Sequence, residues 1–218
     1  MVFIPKVGRI CKGNAGAKTL RPITVYSCWW RAWSSTWIRS DWIKNMVDQM
    51  PTQMAGAKGR GPESTAAAIH NILKRRKHGA SLDFTQCFDT VDLQTMRRAL
   101  TSSLKGEIKN WCATLHNHWL QTKRWYIYNK FAHPQPYVAR QGLPQGDPAS
   151  PLLLALLLWK GYEDIQQKFG CDLVQFIYLD DRTLLGNSKE TVEAAIQEWF
   201  YSVFSEHFPA DVDLQGRI

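Results

Sequence analysis

The sequence predicts an α+β fold: a small antiparallel sheet backed by helices, with a basic lobe at its amino-terminal end. Three observations lead there. Tyr178-Leu179-Asp180-Asp181 lies between two apolar runs, 174–177 and 183–185, so two short strands meet in a tight hairpin with carboxylates at its tip. Residues 150–169 form a strongly apolar helical stretch. Charge is uneven: of 27 Lys plus Arg and 19 Asp plus Glu, residues 1–80 hold 14 and 3, and residues 81–218 hold 13 and 16. A basic segment beside an acid-bearing one joins a surface for phosphate backbones to a candidate metal site; the plainer reading is solvated surface Lys and Arg.

The elements follow in order. Residues 2–5 and 22–26 read as extended segments, and the Gly-, Lys- and Arg-rich stretch between them as a basic hairpin with a mobile tip. Residues 29–46 read as one helix. Trp29, Trp33 and Trp37 recur at i, i+4 and i+8 on one face, with Trp30, Ile38 and Trp42 nearby, which predicts a buried stripe, base stacking being the alternative. Residues 53–61 are a Gly/Lys/Arg loop containing Lys58 and Arg60. Pro62 suits the first turn of a helix reaching Lys77, with Ala66, Ile69, Ile72 and Leu73 as its apolar face. Lys74-Arg75-Arg76-Lys77 closes it, suiting either the negative end of the helix dipole or nucleic acid.

A short strand at 81–84 precedes helices at 89–104 and 109–119. His116 and His118 fall on different faces of the second and read as ordinary polar positions. Residues 125–128 and 137–140 suggest an antiparallel pair. The helix at 150–169 is expected to be capped by Ser150 with Pro151 at its first position. Residues 190–204 close the pattern as an amphipathic helix.

A chain of 218 residues suits one or two domains and a real core. Its five Cys are scattered, with no Cys-x-x-Cys spacing and no Cys/His cluster for zinc, which fits thiols in a reducing compartment. The longest apolar run, 151–159, is far short of the ~18 residues of a membrane span, and residues 1–20 hold no signal-peptide core. The expected location is intracellular, nuclear or cytoplasmic, with no membrane partner.

Asp180 and Asp181 alone carry little, because Asp is common in turns. A third acid changes this. Asp83, in LDFTQCFD at 82–89, lies at the end of a strand, where a side chain is aimed firmly. If that strand pairs with the hairpin, Asp83, Asp180 and Asp181 converge and demand positive charge. Two Mg2+ ions about 4 Å apart would supply it, activating an attacking hydroxyl and stabilising a leaving pyrophosphate, with Mn2+ as the substitute ion.

In order, LDFTQCFD, QGLPQGDPASPLL (141–153) and YLDD resemble palm motifs A, B and C of reverse transcriptases. Pro5-Lys6 and Arg21-Pro22-Ile23 resemble the fingers hairpin of that family, and GRGPEST (59–65) the following fingers loop of non-LTR, LINE-type retrotransposon enzymes. The resemblance spans roughly residues 1–205. It implies a right-hand polymerase palm at 81–218, with some fingers insertion around 105–140, a basic fingers subdomain at 1–80, and an end before the thumb.

The same resemblance implies roles. Asp83 and Asp180 would bridge the metals, with Asp181 supporting and the Phe84 carbonyl as a further ligand. Lys6 and Arg21 would grip the triphosphate, and Gln145 and Gly146 would lie against the incoming nucleotide and template. Phe88, five residues after Asp83, would pack under the sugar and reject a 2′-hydroxyl, favouring dNTPs; the plainer reading is a core residue. Lys58, Arg60, Lys74 and Arg75 are the candidates for contact with nucleic acid. The implied partners are an RNA template and a DNA or RNA primer. Residues 207–218 show no motif D pattern, so a thumb or further domains would be encoded elsewhere in the element. The alternative function is a non-catalytic nucleic-acid-binding remnant of a retroelement polymerase.

Overall fold

The structure, a computed structural model, describes residues 2–5, 20–56, 61–84, 87–128, 131–204 and 214–217. Strands β1 (Val2–Pro5) and β2 (Leu20–Ile23) pair antiparallel, Val2 opposite Ile23. Helices α1 (Cys28–Ile38) and α2 (Asp41–Gln49) follow, then β3 (Met54–Ala55), α3 (Pro62–Leu73) and β4 (His78–Phe84). Next come α4 (Cys87–Thr90), α5 (Leu93–Ser103), α6 (Gly106–Gln121) and four two-residue strands: β5 (Lys123–Arg124), β6 (Ile127–Tyr128), β7 (Phe131–Ala132) and β8 (Tyr137–Val138). The long helix α7 (Ser150–Phe169) leads to β9 (Leu173–Tyr178), β10 (Asp181–Gly186), α8 (Lys189–Glu198) and β11 (Leu214–Arg217).

The central sheet has the order β11-β4-β10-β9-β3. It is antiparallel except for β3, which runs parallel to β9. Alternation along β4 buries Ala80, Leu82 and Phe84 and leaves Ser81 and Asp83 on the opposite, open face. Helix α7 lies against the sheet with Leu152 to Leu158 all buried, which is why its first half lacks an amphipathic stripe. Each such leucine contributes about 2 kcal/mol of hydrophobic burial. A second sheet, β2-β1-β6-β7, ties the β6–β7 pair to the β1–β2 pair through a parallel Val2–Ile127 pairing.

Several expectations shift. The single helix over 29–46 is two helices, because Ser40 caps a new start by accepting from the Ile43 N–H, with Asp41 in the first turn. The tryptophan stripe rotates: Trp29 is 82% exposed, while Trp30, Trp33 and Trp37, at i, i+3 and i+7, pack against the core. Helix α3 stops at Leu73, so the 74–77 cluster lies beyond it. There Arg76 donates to the carbonyls of Cys171 and Asp172 and to that of Leu185, an architectural role. Residues 125–128 do not pair with 137–140; β5 pairs with β8 and β6 with β7. Ser150 does not cap α7; its hydroxyl donates to the Pro144 carbonyl. Helix α8 ends at Glu198, and a π-helical turn, Trp199–Phe204, follows. No described helix is long and apolar enough to cross a membrane.

Candidate active site

The open face of the central sheet carries the acids. Arg182 sits opposite Leu82 in the antiparallel pairing of β10 and β4, both fully buried. One residue along each strand, Asp181 and Asp83 therefore fall together on the other face. Asp181 pairs with Tyr178, so β9 and β10 are joined by two residues, Leu179 and Asp180. Leu179 has φ of +56°, a position that such a turn usually gives to glycine. Two contacts hold this strained corner. Arg182 Nη1 donates to the Leu179 carbonyl at 2.9 Å and to the Asp181 carbonyl at 3.2 Å. Leu179 also packs over Gly56, where an added Cβ would come within 2.7 Å of Leu179 Cδ2.

The Asp181 carboxyl feels the other two acids. Burial first, then the charges of Asp180 and Asp83, push the Asp181 carboxyl above its ordinary range, with Arg182 opposing. Arg182 lies between the rings of Phe84 and Trp199, 5.1 and 5.3 Å from their centroids. Burial lowers its pKa to about 10, so it stays charged beneath the acids at neutral pH. Burial pushes the nearby Cys87 thiol up to about 12, which keeps it protonated and chemically quiet.

All-oxygen donors under mutual repulsion suit a hard divalent cation. The side chains as placed are not gathered around one point: among the described residues, no group of three or more His, Cys, Asp or Glu could hold a metal ion. Phe84 turns its ring inward onto Arg182, and its backbone pairs with Leu214 of β11.

The 141–150 loop is built against α4 and the segment after β2. Leu143 N donates to the Phe88 carbonyl at 2.6 Å, and Phe88 packs partly buried against the core. Gln145 Nε2 donates to Asp89 Oδ1 at 2.9 Å, while the Gln145 carbonyl accepts from Thr24 N at 2.7 Å. Gly146 is exposed, with φ of +114°, and a Cβ there would lie 2.4 Å from the Thr24 carbonyl. The chain of β2, which contains Arg21, thus runs directly into the junction with this loop. Lys74 and Arg75 are exposed just past α3. Lys6, Lys58 and Arg60 lie outside the described residues.

Four residues of this region escaped sequence reasoning. Thr24 and Asp89 anchor Gln145 from two sides. Arg182 could have been found from β alternation, which turns the residue after Asp181 inward. Asp147, in the Gln-Gly-Asp-Pro turn, is 3% exposed and accepts four hydrogen bonds: Trp30 Nε1 at 2.7 Å and Trp119 Nε1 at 3.0 Å on Oδ2, Ser34 Oγ at 2.8 Å and Ala149 N at 2.9 Å on Oδ1. The histidines also differ from expectation. His116 is buried, and His118 stacks on Trp30 with ring centroids 3.5 Å apart.

A family model described as reverse transcriptase (RNA-dependent DNA polymerase) matches residues 4–205. Similar solved structures include apo telomerase from Candida tropicalis, at 11% identity and TM-score 0.57, covering 81% of this chain and 34% of that one. The same telomerase truncated from its C-terminal domain aligns at 10% identity and TM-score 0.54, covering 85% and 40%. Telomerase from Candida albicans with a fragment of telomeric RNA aligns at 10% identity and TM-score 0.55, covering 84% and 34%. At such identities the likeness is one of fold, and the chain spans well under half the length of these telomerase chains. No curated protein matches the chain.

Proposed function

The chain belongs to the reverse transcriptase family, and from that premise we propose that it is the fingers (1–80) and palm (81–218) core of an RNA-directed DNA polymerase from a retrotransposon of the LINE type. The observation that carries this reading is the register of β4 against β10, which places Asp83 beside the Asp180–Asp181 turn.

The primer 3′-hydroxyl attacks the α-phosphate of a dNTP. A P–O bond forms to the primer, the bond to pyrophosphate breaks, and the hydroxyl proton is lost to solvent. Asp83, Asp180 and Asp181, with the Phe84 carbonyl, would hold two Mg2+ or Mn2+ ions, whose chemistry is to acidify the hydroxyl and neutralise the leaving pyrophosphate. Arg182 keeps the turn bearing Asp180 in place through the Leu179 and Asp181 carbonyls. Gln145 and Gly146 line the nucleotide side, oriented by Asp89 and Thr24. Arg21 and Lys6 take the triphosphate, as a bidentate fork and a compact ammonium charge. Phe88 packs under the sugar and selects against a 2′-hydroxyl. Lys58, Arg60, Lys74 and Arg75 meet the template and primer backbones.

Extension of a DNA primer on an RNA template, with Mg2+ and either dNTPs or NTPs, tests this. The expected result is template-dependent extension with dNTPs and little with NTPs. Salt-sensitive binding of the template and primer without extension would return the reading of a non-catalytic remnant.

A further inference from the structure

We infer that Asp147 is a positioning residue that fastens the 141–150 loop to helices α1 and α6 and so sets nucleotide affinity rather than turnover. This deepens the polymerase reading and rests on it for the affinity claim alone.

Trp30 and Ser34 lie one turn apart on the same face of α1, and both reach the Asp147 carboxylate, one on each oxygen. Trp119 arrives from α6 on the oxygen that Trp30 also uses. The backbone N–H of Ala149 completes the set from the loop itself. Two helices far from the loop in sequence therefore close on one buried carboxylate. The stack of His118 on Trp30 joins the same two helices a second time.

The loop's other attachments point the same way. Two residues before Asp147, Gln145 is pinned through its carbonyl to Thr24 and through its amide to Asp89. Between them Gly146 passes so close to the Thr24 carbonyl that a side chain has no room. Gln145 and Gly146 can hold this place only while the loop stays pressed against the segment joining β2 to α1. Asp147 ties the loop to α1, the helix that this segment enters. An ionised carboxylate accepts all four donors, whereas the Asn amide sets its own N–H2 against donors it cannot satisfy. D147N therefore keeps the shape and breaks the attachment.

Amide hydrogen exchange read together with dNTP kinetics on the full chain tests this. In the wild type the Thr24 amide is expected to be protected. In D147N it should exchange at least about tenfold faster, while the amides pairing β9 with β10 are unchanged. The KM for dNTP should rise several-fold and kcat should stay within about twofold. If D147N does not fold, the W30F/S34A double variant, which removes one donor from each oxygen, should show the same pattern at smaller amplitude. Thr24 exchange that tracks the β9–β10 amides, or an unchanged KM, would overturn the inference. If the wild-type chain extends no primer, the polymerase reading falls, and the exchange measurement still decides whether Asp147 fastens the loop.

Discussion

Two groups of carboxylates sit at opposite ends of this molecule's polar chemistry. Asp147 is buried and saturated, with four donors on two oxygens. At the β9–β10 turn the Asp181 carboxyl is raised, first by burial and then by the charges of Asp180 and Asp83. A carboxylate that serves architecture is given every hydrogen bond it can accept. In the proposed reading the acids at the turn are kept for a cation, with the Arg182 guanidinium beneath them. The difference separates the two roles where residue type alone does not.

The largest effect expected from breaking this contrast is on activity. Asp180→Asn should lower incorporation by roughly 10³-fold, with thermal stability equal to or above wild type because a repulsion has been removed. A steady-state rate and a melting curve on the same sample check both. Asp147→Ala should do the reverse, costing about 3 kcal/mol in urea unfolding, since it strands two indole N–H groups and a hydroxyl in a buried site. Next, Phe88→Val should raise the NTP-to-dNTP incorporation ratio by about tenfold or more while leaving the acids untouched.

The smallest effect is in pH. Burial holds both His116 and His118 below their ordinary pKa of 6.5, so the unfolded chain binds more protons than the folded one in that region. Stability is therefore full above pH 6.5 and falls as the pH drops below it. Replacing His118 with Gln should flatten part of that fall in melting temperature.

Much of the acid site could be read from sequence because it is local. The 174–185 hairpin is two short apolar runs around an acidic turn, and Asp83 sits on a strand whose alternation is plain. The loop junction could not be read this way. Trp30 and Asp147 are 117 residues apart, and no periodicity announces that pairing. The break at Ser40 carries no Gly or Pro to announce it, and tryptophans stand on both sides of it. Strand β3 is two residues long and has no period to detect. Asp147 carries no signal of its own, since Gly-Asp-Pro is a turn sequence whether or not its carboxylate is buried.

The most direct measurement is a Mg2+ titration of the melting temperature for wild type and Asp180→Asn. If Asp83, Asp180 and Asp181 form a cation site, Mg2+ should stabilise the wild type in a saturable way and leave the variant nearly unchanged. Equal stabilisation of both chains, or of neither, would contradict the assignment.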